Sequence, residues 1–152
     1  MSRLTGPAPA SLLSAAILAV RVVVGVAFVL HGWPKAQNPF GWMDGMENAP
    51  PGILQAAGAF AEVGGGVLLA AGLLMRVAAV LLAGTMVAAV ALVHFPKGDP
   101  FVAPGKPNWE LAAVYFVVSL LILATGPGRF SLDAMLFGRC CVKTPSGAAG
   151  GR

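Results

Sequence analysis

Four runs of apolar residues dominate the chain, and the polar positions gather between them. The runs are Ser11–His31, Ile53–Met75, Val77–His94 and Trp109–Thr125. A helix needs about 20 mostly apolar residues to cross a hydrocarbon core about 30 Å thick, and each run is near that length. None alternates apolar with polar residues, as a membrane β-barrel strand does. Backbone groups inside lipid must bond within their own segment, so helix is the expected state of every run. The pattern predicts an all-α membrane protein, a four-transmembrane-helix bundle. It is read as one domain over residues 1–137, followed by a flexible cytoplasmic tail over 138–152.

The segments between the runs refine this. The second and third runs meet almost at Arg76, which predicts a tight turn. The loops Gly32–Gly52 and Phe95–Asn108 are longer and rich in Pro, Gly, Asn and aromatic residues. Trp33, Trp42 and Trp109 lie at run ends, where an interfacial aromatic belt would place them. Gly126 and Pro127 stop the fourth run, and "FSLDAMLF" after them reads as a short C-terminal amphipathic helix on the membrane surface. The first run ends in "HGWPKAQNPF" and the third in "HFPKGDPF". This echo predicts two parallel helical-hairpin repeats, with the two histidines at equivalent places on one membrane face.

Composition supports the membrane assignment. Of 152 residues, 57% are hydrophobic and 11% charged, against about 25% charged in a typical soluble domain. The mean hydropathy is +0.81. The net charge of +4 comes from basic residues beside apolar runs, not from a basic patch, so no nucleic-acid partner is expected. Arg3, Arg76, Arg129, Arg139, Lys143 and Arg152 outnumber Lys35, Lys97 and Lys106 of the two long loops. That bias predicts a multi-pass membrane protein with both termini cytoplasmic and the two long loops outside. The first run has a basic residue ahead of it, as a secretory signal does. Arg21 inside it and the apolar residues beyond argue for a retained span. Cys140 and Cys141 are adjacent, a spacing that suits neither a disulfide framework nor CxxC redox chemistry. They are expected to be free thiols or acylation sites.

Arg21 and Glu62 are the charges that the apolar runs should not contain. Counted from the long loops, they fall at similar depth, ten positions before His31 and nine into the second run. A charge at the bilayer centre costs about 2.5–3.5 kcal/mol even on translocon scales. The expectation is an Arg21–Glu62 ion pair, the candidate catalytic pair, with Gly25, Gly58 and Gly66 letting the two helices approach. Such a pair either locks the bundle or lets Glu62 titrate and hold a polar head group. His31, Lys35, His94 and Glu110 form a candidate ligand-binding cluster at the outer face. Glu110 also opens the fourth run, where a carboxylate complements a helix N-terminus. No HxH or HExxH spacing fixes two ligands on one element, so no metal site is expected. Phosphate-loop, Rossmann and Ser-His-Asp patterns are absent from the sequence.

The ordered set "FVLHGWPK", "AEVGGGVLLAAGLLMR", "LVHFPKG", "WELAAVYFVV" and "GPGRFSLDAML" resembles the DoxX family, over about residues 16–137. The resemblance implies a small four-helix protein of bacterial or archaeal membranes. Some such proteins are membrane subunits of thiosulfate:quinone oxidoreductases, and others work beside soluble partners in thiol or oxidative-stress systems. It also implies that Arg21, His31, Lys35, Glu62, His94 and Glu110 are its recurrent polar positions. The second long loop has no cysteine, which argues against a self-contained dithiol mechanism. The expected function is a quinone-linked oxidoreductase subunit, with quinone as cofactor and the lipid bilayer as surroundings. A soluble redox enzyme on the cytoplasmic side and a homo-oligomer are further expected partners. The alternatives are a non-catalytic anchor or scaffold and a small transporter.

Overall fold

The computed structural model describes residues 10–46 and 49–137, and every regular element among them is helical. Helix α1 spans Ala10–Gln37, α2 Gly52–Ala71, α3 Met75–Ala89, α4 Phe95–Lys97, α5 Glu110–Thr125 and α6 Leu132–Leu136. A π-helical segment, Val90–His94, joins α3 to α4, so that Met75–Lys97 is one rod of 23 residues. Among the described residues, three helices are long and apolar enough to cross a membrane: α1, α2 and this rod. The fourth, α5, is apolar but has 16 residues, about 24 Å at 1.5 Å per residue. The cysteine pair and the basic residues Arg3, Arg139, Lys143 and Arg152 lie outside the described residues, as does the tail over 138–152.

α1 runs six residues beyond the expected end at His31, straight through Pro34. Proline gives no N–H to the Leu30 carbonyl, but membrane helices tolerate this where neighbours compensate. Pro96 acts differently. Its ring and missing N–H displace the Leu92 carbonyl, and the backbone opens into the wider π turn, with Phe95 N–H donating to Val90 O. α2 and α4 both end in Schellman motifs. Gly72 (φ 72°) and Gly98 (φ 66°) take the left-handed conformation that glycine adopts without a side-chain penalty. Leu73 N–H then reaches Leu68 O, and Asp99 N–H reaches His94 O.

α1 and α2 pack antiparallel with their backbones nearly touching. A Cβ on Gly25 would come 2.6 Å from Gly66 O, and one on Gly66 2.7 Å from Gly25 O. Lipid offers no hydrophobic drive between helices, so this close van der Waals approach is what holds the pair. α3 packs on α5, and the core between the four principal helices is Val24, Phe28, Leu69, Leu82, Met86 and Ile122. Phe28 also stacks on Tyr115 of α5, with ring centroids 4.9 Å apart. Large apolar residues on the outer faces, such as Val23, Leu30, Phe60, Val67 and Val117, are exposed and suit a lipid surround.

Candidate functional site

The two buried charges of α1 and α2 do not meet. Arg21 is 1% exposed and donates only to carbonyls. Its Nε bonds Leu69 O at 3.1 Å and Nη2 bonds Ala70 O at 3.2 Å. Nη1 bonds Pro127 O at 2.9 Å and Phe130 O at 2.7 Å. Leu69 and Ala70 are in the last turn of α2, where carbonyls lack the usual i+4 partner and the helix dipole favours a cation. The Gly72 hydrogen lies against the guanidinium, leaving no room for a Cβ there. The carboxylate at this end of the molecule is Asp133, not Glu62.

Asp133 completes a lock at this end of the molecule. Its two carboxylate oxygens accept from Leu74 N–H at 2.8 Å and Met75 N–H at 3.0 Å, capping α3. Its own N–H donates to Gly72 O. Ser131 caps α6 by accepting from Ala134 N–H. The stretch after α5, expected as a surface helix, is therefore also tied by hydrogen bonds to the α2–α3 turn.

Glu62 sits at the other end, 4% exposed. Both its oxygens accept from Lys35 Nζ, at 2.6 and 2.7 Å. The expected Arg21–Glu62 pair is thus replaced by Lys35–Glu62. The reason is register. Gly25 faces Gly66, and Gly32 faces Glu62 and Val63, so Glu62 lies eleven positions along α1 from Arg21, about 16 Å. Depth counted from His31 misplaced Arg21, because the helix continues to Gln37.

Lys35 and Glu62 line a cavity of about 290 Å³ between α1, α2 and the α3 rod. Trp42, Met43 and Pro50 of the first long loop also line it, as do Thr85 and His94 of the rod. Lys35 Nζ lies 4.9 Å from the Trp42 ring centroid, within cation–π range. Buried Gln55 pins the loop: its Oε1 accepts from Met43 N–H, its Nε2 donates to Pro50 O, and its carbonyl accepts from Trp42 Nε1. His94 Nδ1 is 2.8 Å from Asp99 Oδ2, which the Gly98 turn brings back over the helix end. That bond leaves Nε2 as the ring's second site for exchanging a proton.

Of the expected outer cluster, Lys35 and His94 share this cavity; His31 and Glu110 do not line it. His31 is exposed, bonds Ala27 O one turn back, and turns its ring edge towards Tyr115. Glu110 is exposed at the start of α5, where Asn108 Oδ1 accepts from its N–H. The histidine echo is out of step by one residue: Pro34 is three positions after His31, Pro96 two after His94. Of the two similar stretches, the first contributes its lysine, Lys35, to the cavity lining and the second its histidine, His94. Among the described residues, no three His, Cys, Asp or Glu side chains gather in a set able to hold a metal ion. Asp99, Gln55 and Asp133 do not stand out in the sequence. The signal for Asp99 is a carboxylate just past a helix-ending glycine; a buried capping role at a distance leaves none.

No solved structure matches the chain. Relatives do. An "Uncharacterized protein" of Haemophilus influenzae is 33% identical over 120 residues, 78% of this chain and 88% of the relative. "Inner membrane protein YqjF" of Escherichia coli is 29% identical over 123 residues, 79% of this chain and 91% of that protein. "Putative oxidoreductase CatD" of Bacillus subtilis is 30% identical over 121 residues, 79% of this chain and 86% of its own length. The DoxX family model matches residues 16–95, from the second turn of α1 to the first residue of α4, so every residue that lines the cavity falls within it, as does Arg21. With apolar helices of membrane-crossing length and these bacterial relatives, the chain is a membrane protein that belongs to the DoxX family.

Proposed function

We propose that the protein is a quinone-linked oxidoreductase subunit, with the quinone head group held in the cavity between Lys35, Glu62 and His94. One observation carries this reading: a mostly apolar cavity in a membrane protein is lined by the Lys35–Glu62 ion pair and by His94, whose Nδ1 is hydrogen-bonded to Asp99. Small-molecule sites combine apolar walls with a few convergent polar groups in this way, although 290 Å³ is at the small end of their usual range. The relative named as an oxidoreductase adds support from a distance.

The donor set suits a quinone. Its chemistry, when bound, is two-electron, two-proton reduction at a pair of carbonyl oxygens. Lys35 has three N–H donors and commits two to Glu62, so one remains for a carbonyl oxygen. Glu62, itself buried, fixes the position of that ammonium at the cavity wall. His94, oriented by Asp99, offers Nε2 as a proton-exchanging atom. Electrons arrive from a substrate or a soluble redox partner. Arg21 is given a structural role, since four carbonyls occupy its donors.

The same reading takes α5 as a fourth span and α1–α2 and α3–α5 as two hairpin repeats, with both termini cytoplasmic and the long loops outside. A scaffold function is the second reading, supported by the exposed Leu132, Met135, Leu136 and Phe137 around α6. Deleting the chain after Gly126 does not test it cleanly, because that removes two acceptors of Arg21 and the cap on α3. Glu62→Gln does. Protein purified in mild detergent is extracted with organic solvent and its quinone quantified by mass spectrometry. About one quinone per chain in the wild type, lost in Glu62→Gln, is expected. Quinone absent from both contradicts the redox reading and favours the scaffold.

A further inference from the structure

We infer that Gly58 is a specificity-determining residue: it keeps open a lateral gap between α2 and the α3 rod, through which the apolar tail of a membrane quinone leaves the cavity for the bilayer. The inference rests on the quinone reading and adds to it the class of quinone, one with a long apolar tail taken directly from lipid.

The walls argue for this exit. α1 closes the cavity with Lys35, and the loop residues Trp42, Met43 and Pro50 lie along it, held by the bonds of Gln55. The remaining walls are two helices joined at a tight turn at the far end. Along α2, Leu54, Gly58 and Glu62 succeed one another at helical spacing; along the rod, Thr85, Ala88 and Leu92 do the same. On α2 the side-chain amide of Gln55 is bonded to the first long loop, so Leu54 and Gly58 leave their stretch of wall apolar. Thr85 adds no free polar group to its wall, because its hydroxyl donates to Leu82 O. Leu54 is 59% exposed and Leu92 43%, although both lie in helices of membrane-crossing length. Exposed leucines on both helices that border the cavity suit the passage of an apolar chain from lipid better than that of a hydrated solute.

Gly58 sits at the middle of that side. A Cβ built on it meets nothing within 4 Å, in contrast to Gly25 and Gly66, where it would strike backbone. Helix packing therefore does not require glycine at 58. Glycine is also an unfavourable helix residue. What the missing side chain does is leave space in the cavity wall. Inside lipid a tail gains little by leaving one apolar medium for another, so a larger residue at 58 acts by blocking the tail.

The test uses the full chain in detergent, titrated with two probes, a tailless dimethoxybenzoquinone and its decyl-tailed homologue, monitored by quenching of Trp42 fluorescence. Trp42→Phe identifies the Trp42 signal. Gly58→Leu is expected to weaken the tailed probe at least about tenfold and to leave the tailless probe within about twofold. Gly58→Ala should fall between. Far-ultraviolet circular dichroism and the thermal midpoint of Gly58→Leu should match or exceed the wild type. Equal affinities for both probes in wild type and Gly58→Leu, or equal weakening of both, overturn the inference and leave the quinone site standing. Failure of both probes to bind the wild type overturns the quinone reading and the inference with it.

Discussion

Lys35, Glu62 and Arg21 solve the problem of intramembrane charge in two ways. Lys35 and Glu62 neutralise each other across the α1–α2 seam. Arg21 instead collects backbone carbonyls at the end of α2 and in the Pro127–Phe130 stretch. The two solutions differ in their energetic coupling. A double-mutant cycle of Lys35→Ala with Glu62→Ala, read by thermal or denaturant unfolding in detergent, should give a coupling of about 1–3 kcal/mol. The cycle of Arg21→Ala with Glu62→Ala should be additive within about 0.5 kcal/mol. Arg21→Lys should not rescue, because a single ammonium cannot span four carbonyls; a loss of about 2–3 kcal/mol is expected. The charged residues are conspicuous in the sequence, since each stands alone in an apolar run. Their partners are not legible there, because partner choice depends on the register between helices. That register is set by Gly25 on Gly66 and by an α1 that continues past Pro34.

At the scale of elements, two local devices position the two ends. At the cavity end, Pro96 and Gly98 widen the rod into a π turn and then reverse it, which places Asp99 on His94. Pro96→Ala restores the missing N–H and removes the clash. The turn should tighten to α-helix and rotate the chain beyond it by most of one residue step, about 100°. The expected outcome is unchanged or higher helicity with at least about fivefold weaker quinone binding. At the opposite end, Asp133 caps α3 from 58 residues away. Asp133→Ala should cost about 1–2 kcal/mol and speed proteolytic cleavage near Gly126, with quinone content unaffected. The helices themselves are readable, because length and apolarity announce a span. Their ends are less so. Pro34 suggests a stop just after His31, but the helix absorbs it, and the cap on α3 comes from a segment whose pattern suits the membrane surface.

The whole molecule is a DoxX-family membrane protein with unlike ends. The end near the α2–α3 turn is tied shut by Arg21 and Asp133. The end with the long loops contains the cavity, where the proposed quinone chemistry takes place. Half of the candidate site is visible in the sequence as Lys35, Glu62 and His94. The other half, Trp42, Gln55, Thr85 and Asp99, consists of residue types common in any loop or helix, which only the packing brings together. The most direct test locates the ligand on the chain. Protein in detergent is irradiated with a photoactivatable azidoquinone, digested, and the labelled peptides are mapped by mass spectrometry, with competition by unlabelled quinone. Competable label is expected on the stretches containing Trp42–Gln55 and Thr85–His94, abolished in Lys35→Ala and retained in Asp133→Ala. Label concentrated around Arg21 and Pro127–Phe130, or spread evenly without competition, would contradict a quinone site in the Lys35–Glu62–His94 cavity.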